Sequence, residues 1–164
     1  MLENRLNVGV NLFHMVGDNM IQTVLYNGKP LNINTGKVKN SGMEFSVTYK
    51  LNSNIHLTAN YSYLDMKYKI TGAPEHKFYA GGNYTLRKLS FASGIQYVNG
   101  LWTRFGQNPK KENFALWNAR LNYNATKRLS LLLKSENLLN QIYEINAGYP
   151  MPGTTVFGGL QFNY

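Results

Sequence analysis

The chain has 164 residues and a net charge of +9, from 17 Lys+Arg against 8 Asp+Glu. A basic balance admits nucleic acid, anionic lipid or an acidic ligand as partner, but the charges sit between apolar stretches, as at Arg87-Lys88, Lys110-Lys111 and Lys127-Arg128, which argues against a nucleic-acid stripe. Cysteine is absent, so a disulfide framework and thiolate metal sites are excluded.

Met1-Leu2-Glu3-Asn4-Arg5 has no apolar signal core. An exported protein needs such a core, so if this one is exported the expectation is a chain that starts inside a longer protein or has been trimmed. The pattern that follows is alternation with period two, which predicts strands. Leu6, Val8, Val10 and Leu12 alternate with polar or small residues, in a strand predicted over 5–26 with a bulge at Gly17-Asp18. Met43, Phe45, Val47, Tyr49 and Leu51 mark a strand over 37–51; Ile55, Leu57, Ala59, Tyr61 and Tyr63 mark one over 54–68. Phe78 to Leu86 and Leu89 to Tyr97 mark strands over 76–87 and 89–103. Trp117 to Tyr123, Leu129 to Leu133 and Val156 to Tyr164 mark strands over 113–124, 128–138 and 154–164. The longest apolar run, Phe114 to Trp117, is far below the ~20 residues of a membrane helix. Strands of about ten residues match an apolar band ~25 Å tall crossed at a tilt.

The expected fold is therefore all-β: an antiparallel transmembrane β-barrel wall of about eight meander strands. Short turns at Asn52-Ser53, Arg87-Lys88 and Ala125–Lys127 alternate with longer connections at 27–36, 69–75, 104–112 and 139–153. Outer-membrane barrels have tight periplasmic turns and longer outer loops, which places both termini on the periplasmic side. Tyr49, Tyr84, Tyr123 and Tyr164 then fall on the apolar face at the inner end of inward-running strands, as an interfacial girdle requires. Tyr63, Phe78, Tyr97 and Trp117 are candidates for the outer girdle.

Candidate lumen residues are Glu44, Lys50, Arg120, Lys134 and Glu136, which either contact a plug or line a solvated wall. Lys67, Lys69, Lys77, Arg104, Lys110 and Lys111 fall near the outer loops, where they bind phosphates of lipopolysaccharide or an anionic ligand, or serve solubility. Trp102, Arg104, Tyr143 and Tyr149 lie near the outer mouth and are candidate ligand contacts; girdle or loop packing is the competing role. His56 is expected in the lumen, His14 in the lumen or at the rim, and His76 at a loop edge; none has metal-ligand spacing. Gly158-Gly159 lies within a strand and lacks phosphate-loop spacing. No catalytic site, cofactor or metal is expected.

Val156–Tyr164, ending in an aromatic with apolar residues at alternate positions, resembles the terminal strand read by the outer-membrane assembly machinery, with Leu160, Phe162 and Tyr164 as the signal. Asn137-Leu138-Leu139-Asn140-Gln141-Ile142-Tyr143 and Gly148-Tyr149-Pro150-Met151-Pro152-Gly153 resemble the elements before and within the last loop of TonB-dependent receptors. That family usually has Arg after the final Gly, where this chain has Thr154. Asn40-Ser41-Gly42-Met43-Glu44, Asn60-Tyr61-Ser62-Tyr63-Leu64 and Ala73-Pro74-Glu75-His76-Lys77 resemble further elements of the same family, in order over 37–164.

The resemblance implies a plugged barrel of about 22 strands, of which residues 1–164 are a single segment, the last third. It also implies import of a scarce ligand: an iron chelate, haem, cobalamin or glycan. The implied partners are outer-membrane lipid and lipopolysaccharide, the barrel assembly machinery, and the TonB coupling protein, which contacts an N-terminal region lying outside these residues. Two other readings stay open: a self-contained eight-stranded outer-membrane barrel acting as anchor or adhesin, and a soluble lipid-binding barrel.

Overall fold

Each alternating segment pairs with the next, because a strand in isolation leaves a row of backbone N–H and C=O groups without partners. The computed structural model describes residues 5–27, 29–34, 36–105 and 108–163. Its strands are β1 (Leu6–Gly17), β2 (Ile21–Tyr26), β3 (Lys29–Asn34), β4 (Val38–Lys50), β5 (Ile55–Met66), β6 (His76–Leu86), β7 (Leu89–Arg104), β8 (Lys110–Asn124), β9 (Leu129–Glu136), β10 (Glu144–Asn146), β11 (Tyr149–Pro150) and β12 (Thr155–Phe162). Eight of them form one antiparallel sheet in the order β1-β4-β5-β6-β7-β8-β9-β12. Among the described residues β1 and β12 are its two edges and share no ladder. The eight strands are thus an open sheet, and the closed eight-stranded barrel finds no support in their pairing.

The first predicted strand needs correction. It ends at Gly17, and Asn19 in the left-handed region (φ 56°) turns the chain out of the sheet. Residues 21–26 pair instead with Lys29–Asn34 as a separate hairpin, so the long connection is itself β-structured. Asn27 (φ 51°) stands before Gly28 in the sequence, and Asn-Gly is the dipeptide that two-residue hairpins prefer. The loop predicted over 139–153 likewise holds the small hairpin β10–β11.

At the other end the turns are short, and side chains close them. Asn52 Oδ1 accepts from the backbone N of Asn54 (2.8 Å) and Ile55 (2.9 Å). Thr126 Oγ1 accepts from the N of Arg128 (3.1 Å) and Leu129 (3.0 Å). Asn and Thr are placed where a side-chain oxygen mimics a backbone turn.

The last loop is pinned by Asn137, which is buried and sits at φ 52°. Its Nδ2 donates to the carbonyls of Gln141 (2.9 Å) and Pro152 (3.1 Å), and its Oδ1 accepts from Gln141 N (2.9 Å). Thr154 Oγ1 donates to the Asn137 carbonyl (2.8 Å), so the residue that departs from the family pattern joins the same network. This clamp folds the loop inward, and the small buried core lies beneath it. Val98, Leu101, Phe114 and Tyr143 form that core, with Phe114 and Tyr143 ring centroids 4.2 Å apart.

On the same face Tyr79 lies flat over the cross-strand pair Gly81 and Gly94. A Cβ at Gly94 would stand 2.6 Å from the Tyr79 hydroxyl and 2.8–2.9 Å from ring carbons. Phe13 covers Gly42 in the same way. Glycine here lets a ring rest on the wall.

Asn137→Ala is expected to lower unfolding stability in lipid or detergent by about 1–3 kcal/mol, because it removes three hydrogen bonds that tie the last loop to a buried side chain; an unchanged denaturant midpoint would contradict the clamp. Gly94→Ala is expected to cost about 1–3 kcal/mol through the clash with Tyr79. Prior replacement of Tyr79 by Ala should remove most of that cost, so a double-mutant cycle checks the contact directly.

Candidate functional site: the two faces of the sheet and the outer rim

The register sorts every residue onto one of two faces. Val8, Val47, Ala59, Ala80, Ile95 and Trp117 form one continuous cross-strand row, and Val10, Phe45, Tyr61, Phe78, Tyr97 and Ala115 form the next. This outward face is apolar across the sheet and open: Leu12 is 73% exposed and Leu160 79%. An apolar face this extensive is not sustained in water; it needs lipid against it.

The aromatic residues of this face do not follow one row. Tyr49 is in register with Leu57 and Gly82, and Tyr84 lies two residues further toward the short turns, two strands along. Tyr84 is in register with Phe91 and Leu121, and Tyr123 lies two residues further again after two more strands. At the loop end Tyr63, Phe78, Tyr97 and Trp117 descend in the same sense, four residues over three strands. A step of one residue (3.3 Å) per strand (4.8 Å) corresponds to a tilt of about 35°. In strands tilted that far, each aromatic set lies at one level. Tyr164 lies outside the described residues. Leu160 and Phe162 are outward-facing on the edge strand β12, opposite Leu131 and Leu129.

The inner face is polar and concave. A cavity of about 550 Å³ is lined there by Asn11, Glu44, Asn60, Ser62, Lys77 and Tyr79, among others. Glu44 accepts from Asn11 Nδ2 at 3.1 Å. Arg120 and Lys134 are cross-strand neighbours, Arg120 Nε donates to Asn122 Oδ1 (3.3 Å), and Lys134 pairs with Glu136 and lies 5.5 Å from the Phe157 ring centroid. Lys50 is exposed at the inner end, opposite His56. The five predicted lumen residues thus share one face, but fall in two groups: Glu44 and Lys50 on β4, and Arg120, Lys134 and Glu136 on β8 and β9.

At the rim, two consecutive lysines hold two loops on opposite faces. Lys110 points inward and pairs with Glu112 (3.0 Å) and with Glu144 of the last loop (2.9 Å). Lys111 points outward and pairs with Glu75 of the β5–β6 loop (3.1 Å), lying 5.3 Å from the Trp102 ring centroid. Glu75 also takes Lys69 at 3.3 Å. The Lys111 ammonium, with Lys69 beside it, holds the Glu75 carboxyl below its usual value; Lys110 and the Gly148 N–H do the same for Glu144.

Among the predicted mouth residues, Tyr143 is buried against Phe114 and has little surface to offer a ligand; burial pushes its hydroxyl up. Trp102 is half-buried and stacks on Phe105 at 5.3 Å. Arg104 is exposed, its Nε donating to the Asn108 carbonyl (2.7 Å), and Tyr149 is 75% exposed at the hairpin tip. The structure brings Arg104 and the last loop together but leaves Trp102 on the outward side.

One histidine departs from its expected place, and His76 keeps to the loop edge as the first residue of β6. His14 shares the outward face with Leu12 and is 2.8 Å from the Ser41 hydroxyl. His76 joins the outer aromatic set, its Nδ1 2.8 Å from the Tyr61 hydroxyl and its ring 5.0 Å from Tyr63.

The family model described as "TonB dependent receptor-like, beta-barrel" matches residues 1–138. The chain belongs to the TonB-dependent receptor family. An uncharacterized TonB-dependent receptor of Haemophilus influenzae is 24% identical over 164 residues, covering 84% of this chain and 47% of that protein. The ferric-pyoverdine M114 receptor PbuA of a Pseudomonas species is 25% identical over 178 residues, covering 96% of this chain and 21% of that protein. Among solved structures, the copper transporter OprC superposes with a TM-score of 0.82 at 18% identity, over 98% of this chain and 29% of that one. The chain spans less than half the length of these relatives. The family is one of receptors and transporters, not enzymes. In this TonB-dependent receptor segment Asn137 is a structural clamp: its side-chain polar atoms are used within the last loop, and its backbone N–H donates to Asn118 Oδ1 of β8 at 2.9 Å.

The Glu75 tie has a definite pH sense. Its folded value lies below the ordinary value of 4.5, so the tie stabilises the rim above that pH and is lost as pH falls through the folded value. In a Trp117→Phe background, Trp102 emission is expected to change on acidification below that range and to lose this transition in Glu75→Gln. An identical transition in both proteins would remove Glu75 from the rim.

Proposed function

We propose that residues 1–164 are a single segment of the barrel wall of an outer-membrane, TonB-dependent importer of an iron–siderophore complex. The observation that carries the ligand class is the likeness to a ferric-pyoverdine receptor along 96% of the chain. The apolar outward face is the lipid contact, with Tyr49, Tyr84, Tyr123 and Tyr164 at the periplasmic interface. Leu160, Phe162 and Tyr164 present the terminal strand to the barrel assembly machinery. The polar inner face, with Glu44, Lys50, Arg120, Lys134 and Glu136, meets a plug, and the contact with the coupling protein belongs to a region beyond these residues.

The long-loop end faces outward from the cell. Arg104 and Tyr149 are the mouth residues with free surface: a cation for an anionic chelate and a ring for a planar one. Tyr143 supports the last loop by packing on Phe114, and Trp102 packs with Phe105 and Lys111 on the outward side. Open edges at β1 and β12 are the expected consequence of a wall segment, since a complete barrel pairs every strand.

Two measurements test this reading. The chain lacks cysteine, so a single cysteine at Tyr149 or at Ser53 reports sidedness in intact cells. Tyr149→Cys is expected to react with a membrane-impermeant maleimide, and Ser53→Cys only after permeabilisation; the reverse pattern would sink the orientation. Deleting the natural gene should abolish uptake of one labelled ferric siderophore, and deleting the coupling protein should do the same. Unchanged uptake across a siderophore panel, with loss of haem or cobalamin uptake instead, would overturn the ligand class.

A further inference from the structure

We propose that the outward face at the outer end of β4 and β5 docks a phosphorylated, acylated lipid of the outer leaflet, through Lys39, Lys67 and Lys37. The proposal rests on the orientation given above, with the long loops outside. The β4–β5 register runs Asn40 opposite Met66, and the ladder continues one pair further, with Lys67 N donating to Lys39 O at 3.1 Å. Lys39 and Lys67 are therefore directly opposed on the same face. Lys67 Nζ donates to the Lys37 carbonyl at 2.8 Å, which brings a third lysine to the spot. All three are exposed.

Like charges directly opposed across a ladder repel unless an anion lies between them. The protein does not supply it. The rim carboxylates are committed elsewhere: Glu75 to Lys111 and Lys69, Glu144 to Lys110, and Asp65, just below on the same face, to Lys69 at 3.6 Å. Among the described residues none of Lys37, Lys39 and Lys67 has a carboxylate partner. Sequence reading named Lys67 with five other basic residues. Of those, Lys69, Lys110 and Lys111 are neutralised and Lys77 faces inward, whereas Lys37 and Lys39 were missed because only the register brings them to Lys67.

What lies beneath the lysines decides the kind of anion. Leu12, Met43 and Tyr63, all three exposed, form the outward row four pairs below Lys39 and Lys67, with His14, Ser41 and Asp65 in the row between. Four residues along a strand tilted by about 35° is about 10 Å along the barrel axis, the offset between acyl chains and their headgroup phosphates. A free phosphate uses the lysines and leaves the apolar row bare; a phosphorylated lipid uses both. Diphosphoryl lipid A has this chemistry, with two phosphates above several acyl chains.

The test uses the protein expressed from its natural gene, purified in detergent and titrated with diphosphoryl lipid A by native mass spectrometry. The Lys39→Gln/Lys67→Gln variant is expected to bind about tenfold more weakly or worse, and Lys39→Arg/Lys67→Arg to bind as the unmodified protein does. Lys88→Gln/Lys127→Gln, at the short-turn end, should leave binding unchanged. Equal binding by the Gln variant, with a retained β-sheet spectrum, would overturn the site. So would full displacement of lipid A by inorganic phosphate, which marks a simple anion site. Cysteine labelling at Tyr149 and Ser53 reports orientation separately, so a wrong orientation is distinguishable from a wrong lipid site.

Discussion

The constraint on which the rest depends is that a backbone crossing lipid has no water to satisfy its N–H and C=O groups. Strand pairing is the way an alternating sequence meets that demand, and eight strands here meet it with their neighbours. The demand also explains why the pairing stays in strict register through the β1–β4–β5–β6–β7 part of the sheet. A slip of one residue would turn Leu, Val and Phe inward and Glu, Lys and Asn toward lipid. The register shifts in the wall occur in β7 beyond Val98, at the loop end, where the ladder is interrupted and Gly100 N donates instead to Asn113 Oδ1 at 2.7 Å.

The two faces then acquire different chemistry from one pleat. Outward residues need only be apolar, with aromatics at the levels where a ring meets both lipid and water. Inward residues are free to be charged, small or aromatic. The glycines at 81 and 94 illustrate the coupling: without side chains of their own, they accept Tyr79 against the wall, and a bulky residue occupies the lumen side while leaving the cavity beside it open.

At the rim the same alternation is put to a different use. Lys110 and Lys111 are adjacent in sequence, so the pleat aims them at opposite faces, one at Glu144 of the last loop and the other at Glu75 of the β5–β6 loop. Each pair is partly exposed and individually weak. Together with the Asn137 clamp and the Phe114–Tyr143 contact, they give the outer loops a defined seat on the wall. Loops that carry a recognition surface need such a seat, since a mobile loop loses ordering entropy on every binding event.

Much of this protein was legible in its sequence. Period-two alternation determined the strands, their faces and the outward placement of Tyr49, Tyr84 and Tyr123, because face follows from parity alone. Short turns rich in Asn and Thr against long connections distinguished the two ends of the sheet. The ordered motifs over 37–164 pointed to the family that the comparisons then established. The tertiary structure decided what depends on pairing between distant segments. It ended the first strand at Gly17 and built hairpins at 21–34 and 144–150, since such loop ladders are too short for periodicity to show. It placed Tyr143 in a core and left Tyr149 in solvent, because burial depends on which strands lie beneath a loop. And it set Lys39 against Lys67, 28 positions apart in the chain, a juxtaposition that exists only once the register is formed.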